Sequence, residues 1–323
     1  MPPTAAPLNL LVTGASGHTT TSLINRLSEH PRKYNTHTIS LSQSNDAAIQ
    51  TVFEQTAFQA VYLVLPKTQH HCTEKVKMFL DIAKQNRVPF VIFVSSLGAD
   101  TLTTHLAQRF MAIEAYLKTI RIPHTVLRVA PLQQTFMYLS DDFHQPIPTL
   151  DLPFSNGAFA PIHAADVARV AACILDNPTR HLGKTYTLTG PDLLTGVEIA
   201  GRASAGLDRP VRFRNCSPAE AKTHLDRIEP RLDPHTVTGV LALFDQIAAH
   251  VYNNTITSTV QAITAKPATH IDDFFRENCK LFNQYKDSHT QQKRTRRRGS
   301  DSVISSFVGS EGNGLGRFLR SKL

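Results

Sequence analysis

Short apolar runs alternate along the chain with longer segments in which apolar residues recur every three or four positions. The first run, residues 8–13, stops at Gly14, which is typical of a strand that is buried on both faces. The segment 19–27 follows, with two leucines and an isoleucine on one helical face. The same alternation predicts strands at 36–41, 60–65, 90–94, 124–129 and 184–188, and helices at 47–53, 75–85, 106–117 and 166–175. It predicts an α/β fold built on a doubly wound parallel sheet.

The second half of the chain is mostly helical. Helices are predicted at 197–205, 218–225, 236–251 and 271–282. We predict one domain over residues 1–283, with a Rossmann-type core at about 8–131 plus 157–190. A smaller, mostly helical C-terminal lobe, at about 132–156 and 191–283, is predicted to face the substrate. Residues 284–323 are rich in Arg, Ser and Gly, and we expect them to form a disordered basic tail.

Composition argues against several classes of protein. Apolar residues make up 41% and charged residues 19%, as in ordinary proteins with a packed core. We find no run of about 18 apolar residues, so we expect no membrane-spanning helix. The first seven residues lack the pattern of a secretion signal. The four cysteines form no Cys-x-x-Cys pair, which favours a reducing compartment. His70, His71 and Cys72 are adjacent and point in different directions, so we predict no metal site.

Most of the net charge lies in the tail. The formal net charge of the chain is +8, and from Lys286 onward nine basic residues stand against three acidic ones. The tail therefore carries +6, which leaves +2 for residues 1–285. We expect no nucleic-acid-binding face on the folded part.

A glycine-containing loop joins the first predicted strand to the first predicted helix. Its residues are Gly14, Ala15, Ser16, Gly17, His18 and Thr19. Glycines allow a dinucleotide pyrophosphate to approach the backbone, and the amide groups of a helix N-terminus meet its negative charge. The loop is therefore a candidate cofactor site. An ordinary strand–helix turn is the alternative interpretation.

Several blocks of sequence, in the same order, resemble the NmrA-like family, an atypical branch of the short-chain dehydrogenase/reductase superfamily. They are TGASG at 13–17, SSLGA at 95–99, EAYL at 114–117, PHTVLR at 123–128, FAPIHAADVA at 159–168 and GKTYTLTGP at 183–191. The likeness extends over about residues 8–282 and includes fungal NAD(P)H-dependent reductases of secondary metabolism. The resemblance implies a Rossmann core, a preference for NADP(H) over NAD(H), and either reductase activity or redox-dependent regulation.

Three features depart from the family pattern. Thr20 replaces the third glycine of the fingerprint, and its β-branched side chain is expected to crowd the contact between helix and sheet. The segment before residue 60 is short, which predicts a missing strand–helix unit. Where the family has an arginine for the 2′-phosphate, this chain has 40–43, Ser-Leu-Ser-Gln. Arg32 and Lys33 could supply that cation instead, although a solvated helix end is the favoured explanation for them.

The catalytic acid is not identified by the sequence. No tyrosine is followed by lysine four positions later, so the usual proton-donating pair of short-chain dehydrogenases is absent. Arg109 lies near the position of the family lysine, and we expect it to hold the nicotinamide ribose. A guanidinium cannot donate that proton, because it stays charged in proteins. Ser95 and Ser96 follow the fourth strand and are expected near the cofactor.

The segment after the fifth predicted strand is a candidate substrate pocket. Gln133 and Gln134 begin it, and Phe136, Met137 and Tyr138 follow. These side chains could contact a substrate, but core packing of the aromatic residues explains them as well.

Three functional hypotheses follow. The first is an NADPH-dependent reductase of a small conjugated carbonyl, quinone or iminium, plausible in a secondary-metabolite pathway, because such acceptors need little acid catalysis. The second is a non-catalytic NAD(P)-sensing regulator that acts through a protein partner. The third is a diverged relative that binds no nucleotide.

The chain ends in Ser321-Lys322-Leu323, which matches a peroxisomal import address. We expect the peroxisomal import receptor as a partner and the peroxisome as the location, with the cytoplasm as the alternative. The basic run 293–298 is open to another interpretation, as a nuclear signal or a kinase-recognised patch before Ser300. A further possibility is that the tail is not part of the natural protein.

A fluorescent protein fused ahead of residues 286–323 tests this address. We expect punctate fluorescence that disperses when Ser321, Lys322 and Leu323 are deleted, because the receptor reads the free tripeptide. Diffuse or nuclear fluorescence from the complete tail would contradict the assignment.

Overall fold

Six parallel strands form the central sheet of the computed structural model, which describes residues 6–66, 72–101, 104–228 and 234–283. Strands of the central sheet and of two small two-stranded sheets are, in chain order, β1 (Leu8–Thr13), β2 (Tyr34–Ile39), β3 (Ala60–Val64), β4 (Val91–Ser96), β5 (His124–Val129), β6 (Thr149–Leu152), β7 (Ala158–Phe159), β8 (Thr185–Leu188), β9 (Leu194–Thr195) and β10 (Arg212–Asn215). The helices are α1 (His18–Ser28), α2 (Asp46–Gln55), α3 (Cys72–Gln85), α4 (His105–Thr119), α5 (Ala164–Asp176), α6 (Gly196–Leu207), α7 (Pro218–Ile228), α8 (Pro234–Ala248), α9 (Thr259–Thr264), α10 (Ile271–Glu277) and α11 (Cys279–Phe282), with 3₁₀ helices at Gln133–Phe143 and Pro178–His181.

The strand order in the sheet is β2-β1-β3-β4-β5-β8, with every pair parallel. Alternate residues of each strand enter different cores. Leu10 and Val12 pack with α1 and α5 on one face, whereas Leu11 packs with α2 and α3 on the other. Both faces are therefore covered, which explains the continuous apolar runs. The predicted α/β fold with a doubly wound parallel sheet is confirmed.

The short segment before β3 holds a single strand–helix unit, β2 followed by α2. Because β2 pairs only with β1 among the described residues, it forms the edge of the sheet. The classical doubly wound order has one more strand beyond this position. The shortness of the sequence here therefore reflects a trimmed sheet, as predicted.

The boundaries of some predicted elements need correction. β4 continues through Ser95 and Ser96, since both pair with β5, instead of stopping at residue 94. The predicted helix 271–282 is interrupted at Asn278, whose φ of −103° and ψ of 19° separate α10 from α11. The segment 132–156, assigned to the mostly helical lobe, contains a strand, β6, as well as a 3₁₀ helix.

The C-terminal lobe has its own core, rich in phenylalanine. β6 pairs in parallel with β10, and α6, α8 and α10 pack around an aromatic cluster. Its buried phenylalanines are Phe136, Phe143, Phe154, Phe159, Phe244, Phe274, Phe275 and Phe282. The lobe follows the carboxyl end of β5, so it stands at that edge of the sheet.

Some predictions concern residues outside the described ranges. The tail 284–323, its targeting residues Ser321, Lys322 and Leu323, and the pair His70 and His71 all lie outside them. Within those ranges, no helix has the length and apolarity to cross a membrane. The same residues contain no group of three or more His, Cys, Asp or Glu side chains able to hold a metal ion.

Two glycines of α6 provide a matched test of how the lobe packs. A Cβ on Gly206 would stand 2.4 Å from the carbonyl oxygen of Asp272 and 2.8 Å from Cβ of Phe275, whereas a Cβ on Gly201 meets nothing within 4 Å. Gly206→Ala should destabilise the protein by about 1–3 kcal/mol, because α6 and α10 must separate. Gly201→Ala should stabilise it by about 0.5–1 kcal/mol through helix propensity. Urea unfolding measures both, and equal effects would contradict this packing.

Candidate functional site

The loop after β1 makes a tight turn at the carboxyl edge of the sheet. Gly14 has a φ of +65°, which lies in the left-handed region that favours glycine. The amide of Gly17 donates to the carbonyl oxygen of Gly14 at 2.9 Å, and a Cβ on Gly17 would stand 3.3 Å from that oxygen. The turn therefore allows a ligand at the carboxyl edge of the sheet to approach the backbone closely.

The N-terminus of α1 has no capping side chain. Gly17 is the N-cap, makes no side-chain cap hydrogen bond, and is followed by no acidic residue in the first turn. The amide of Thr21 donates to the carbonyl of Gly17 at 2.8 Å. The first amides of any helix lack intrahelical acceptors, and the helix dipole places partial positive charge there. The edge is therefore suited to an anion such as a pyrophosphate.

Thr20, which replaces the third glycine, is accommodated without opening the turn. Its side chain is fully buried, and its hydroxyl donates to the carbonyl of Thr13 at 3.3 Å. Thr13 in turn joins β1 to β3, because its hydroxyl accepts from the amide of Val64 at 2.7 Å and donates to the carbonyl of Val64 at 3.0 Å. The prediction that Thr20 crowds the contact between helix and sheet is wrong, because its hydroxyl forms a hydrogen bond between α1 and β1.

The predicted cofactor loop and the predicted substrate segment meet. The ring centroids of His18 and Tyr138 are 6.4 Å apart, with the ring planes inclined at 54°. His18 is the first residue of α1, and Tyr138 belongs to the 3₁₀ helix after β5. Both side chains are partly exposed. Their contact brings the 3₁₀ helix after β5 next to the N-terminus of α1.

The other predicted substrate residues differ in how deeply their side chains are buried. Gln134 is buried, and its side-chain oxygen accepts from the amide of Ala164 at 3.0 Å. Phe136 is buried in the lobe core, with its ring centroid 5.9 Å from that of Phe275. Met137 is only partly buried and packs against the same core. A role in substrate binding stays a prediction for all of them, and Met137 and Tyr138 are the ones with exposed surface.

Gln133 ties the lobe to the sheet. Its side-chain nitrogen donates to the carbonyls of Pro161 at 3.1 Å and Thr269 at 2.9 Å. The side chain has no exposed surface. Its side-chain amide therefore joins the segments around Pro161 and Thr269.

Ser95 belongs to a buried polar network at the ends of β4 and β5. Its hydroxyl donates to Glu114 at 2.6 Å. Arg128 donates to the two oxygens of the same carboxylate, at 3.1 Å from Nε and 2.7 Å from Nη2, and also pairs with Asp100. The hydrogen bonds to Glu114 raise the pKa of Arg128 above its ordinary value. Ser95 is thus engaged within the protein, whereas Ser96 is only partly buried.

Arg109 lies at the same edge of the sheet, beside the end of β3. Its Nη2 donates to the carbonyl of Pro66 at 3.2 Å and contacts the sulfur of Cys72. Among the described residues its buried Nε has no hydrogen-bond partner. This location agrees with the expected side of the sheet, while contact with a ribose stays a prediction.

Tyr116 faces away from this edge. Its hydroxyl donates to the carboxylate of Asp81 at 2.6 and 2.8 Å, and it lies on the side of α4 that meets α3. The hydrogen bond to Asp81, followed by burial and the carboxylate charge, raises the pKa of Tyr116 to about 12. This hydroxyl is therefore a poor proton donor for the edge.

Arg32 and Lys33 lie at the amino ends of the strands, on the side of the sheet opposite to the glycine loop. Both precede β2, and Lys33 forms an ion pair with Asp176 at 2.5 Å. The six residues of β2 separate them from the glycine loop by about 20 Å. The interpretation in which they reach a 2′-phosphate is wrong, because they lie at the amino end of the strand.

Sequence reasoning missed Lys75, a lysine near the carboxyl end of β2. It projects from α3, and its Nζ donates to the carbonyl of Ser44, which follows β2. The hydroxyl oxygens of Ser40 and Ser42 lie 3.1 Å apart in the same loop. No signal in the sequence connects Lys75 to this loop, because the two are 31 positions apart.

Comparison with known proteins places most of the chain in a family. A model described as the NmrA-like family matches residues 36–275. An NAD(P)H azoreductase from Xenophilus azovorans is 31% identical over 134 residues, which are 41% of this chain and 44% of the relative. The chain thus matches less than half the length of this curated relative.

Solved structures share the fold at low sequence identity. An NADPH-dependent quinone oxidoreductase from Escherichia coli, complexed with NADPH, superposes with a TM-score of 0.70 at 19% identity, covering 85% of this chain and 100% of the other. NmrA, a negative transcriptional regulator in complex with NADP, gives a TM-score of 0.65 at 16% identity, covering 85% and 96%.

Proposed function

This chain belongs to the NmrA-like family, and we propose that it is an NADPH-dependent reductase of a small conjugated carbonyl, quinone or iminium. The observation that carries the proposal is the glycine loop at the uncapped N-terminus of α1, with Tyr138 of the predicted substrate segment beside His18. Such an edge takes a dinucleotide on one side and a small molecule on the other. Names of relatives, such as the azoreductase and the quinone oxidoreductase, support a reductase.

The residues of the edge fit a dinucleotide. Residues 14–19 would hold its pyrophosphate, because Gly14 and Gly17 leave no side chain between the backbone and the ligand. Ser96 and Arg109 stand beside the ends of β4 and β3, where they could orient the nicotinamide half. Tyr138 would cover the ligand from the lobe.

The chemistry follows from what these side chains can and cannot do. Bound NADPH supplies the hydride, and the protein supplies position and field. Tyr116 is engaged with Asp81, and Arg109 cannot donate a proton at neutral pH. An electron-poor acceptor, whose reduced form is stabilised by conjugation, needs no strong acid. We therefore propose this class of substrate, in keeping with a secondary-metabolite pathway.

A regulatory function is the second candidate. The solved structure of NmrA, a negative transcriptional regulator, shares this fold, and the third fingerprint glycine is replaced here by Thr20. A regulator would bind NADP(H) and a protein partner without turnover. Steady-state turnover of any acceptor separates the two, because a sensor oxidises no NADPH. Delivery to the peroxisome is likewise a proposal, carried by Ser321, Lys322 and Leu323 alone.

Gly17→Asp should abolish NADPH binding and leave the fold intact. The carboxylate would stand against the phosphates, so affinity measured by nicotinamide fluorescence should fall more than about 100-fold. The φ of −77° and ψ of 147° at Gly17 suit an aspartate N-cap, so stability to urea should change by only a few tenths of a kcal/mol.

Gly17→Asn is the matched control, because asparagine has nearly the same size and no charge. It should retain more affinity than Gly17→Asp. An aspartate variant that binds NADPH as tightly as the parent would show that the pyrophosphate lies elsewhere.

Turnover should be faster with quinones than with simple ketones, because no acid is required. Tyr138→Phe should lower the rate by less than about 100-fold, the factor expected for a lost general acid. Tyr116→Phe is the control, since its hydroxyl contacts Asp81. A larger loss in Tyr138→Phe would identify that tyrosine as the acid and refute the proposed mechanism.

A further inference from the structure

The loop after β2 is a closed turn that presents two hydroxyl groups. The amides of Gln43 and Ser44 both donate to the carbonyl of Ser40, at 3.2 and 2.9 Å. The hydroxyl oxygens of Ser40 and Ser42 lie 3.1 Å apart, and both side chains are partly buried. The turn therefore has a defined shape that brings two hydroxyl groups together.

This turn stands beside the glycine loop. Ile39, the last residue of β2, pairs with Thr13, the last residue of β1, so Ser40 follows β2 at the level where Gly14 follows β1. In dinucleotide-binding sheets the end of this strand meets the adenosine ribose. An acidic residue there accepts a bond from a 2′-hydroxyl, whereas a cation accommodates a 2′-phosphate.

Charge at the turn comes from a different element. Residues 40–45 contain neither a basic nor an acidic side chain. Lys75 reaches in from α3, and its Nζ donates to the carbonyl of Ser44. Asp46, the nearest acid in sequence, is exposed in the first turn of α2. The turn thus combines hydroxyl donors with an ammonium group and has no carboxylate of its own.

The ammonium group of Lys75 is not neutralised by an ion pair within the described part of the chain. It is partly buried and donates to the uncharged carbonyl oxygen of Ser44, which leaves donor capacity on the nitrogen. Lys77, two residues later on the same helix, pairs instead with Glu74 at 3.0 Å. The two lysines therefore differ in what they offer to an anionic ligand.

We infer that Lys75, together with the hydroxyls of Ser40 and Ser42, binds the 2′-phosphate of NADP(H) and sets the preference for it over NAD(H). This inference rests on the proposed function, because it assigns the adenosine end of the same cofactor site. A phosphate accepts hydrogen bonds from every group in this set, whereas a 2′-hydroxyl finds no carboxylate here to accept its proton.

Lys75→Gln tests the assignment in the full-length protein. Kd for NADPH and for NADH is measured by nicotinamide fluorescence, and 2′,5′-ADP and 5′-AMP are compared as competitors. Loss of a charge-assisted hydrogen bond to phosphate should weaken NADPH and 2′,5′-ADP by about 10–100-fold. NADH and 5′-AMP should change by no more than about threefold, since neither carries the group that Lys75 binds.

Two further variants sharpen the test. Lys77→Gln, one half-turn along α3, should leave every affinity unchanged because its ammonium group pairs with Glu74. Ser42→Asp should weaken NADPH and strengthen NADH, since the new carboxylate repels a phosphate and accepts from a hydroxyl. Urea unfolding of each variant measures whether the fold is retained.

These measurements distinguish failure of the proposed function from failure of the assignment of Lys75. A parent protein that binds neither nucleotide would refute the proposed function and this inference with it. A parent that binds NADPH and NADH equally would overturn the inference alone. If Lys75→Gln weakens both nucleotides to the same degree, Lys75 only tethers α3 to the turn, and the assignment is wrong.

Discussion

Parallel pairing of strands that are buried on both faces is the constraint on which the rest of this structure depends. Because each crossover must return to the same end of the sheet, α1 to α5 cover its faces and every strand ends at one edge. That edge collects the glycine loop, Ser96, the end of β3 beside Arg109, and the turn after β2. The candidate cofactor residues are gathered there because the carboxyl ends of parallel strands share one edge of the sheet.

Buried polar side chains join the lobe to this sheet. Asp166, almost fully buried, accepts from the amide of Thr269 at 2.7 Å and its hydroxyl at 3.0 Å, and pairs with Arg169 at 2.8 Å. Gln133 donates to the carbonyl of Thr269 at 2.9 Å. Buried polar groups are costly without partners, so these bonds hold the lobe in one place. Gln133 was a candidate substrate residue in the sequence, and here its amide joins two segments of the protein.

The candidate site combines side chains held by an ion pair with side chains that retain exposed surface. Glu114 and Arg128 immobilise the end of β4, because a bidentate guanidinium–carboxylate pair restrains both side chains. Tyr138 and Met137 lie on a 3₁₀ helix at the junction of lobe and sheet and retain exposed surface. The candidate site therefore has a floor of strand ends held by ion pairing, next to a 3₁₀ helix that keeps exposed surface.

The sequence by itself determined the order of strands and helices, the parallel sheet and the position of the glycine loop, because periodicity and glycine placement are local properties. Tertiary structure decided which polar residues are available. Ser95 and Gln134 are occupied by partners 19 and 30 positions away, and Lys75 reaches Ser44 across 31 positions. Arg32 and Lys33, adjacent to β2 in sequence, stand at its far end. Hydrogen bonds between distant segments depend on how the sheet brings its strand ends together, and no local pattern records that arrangement.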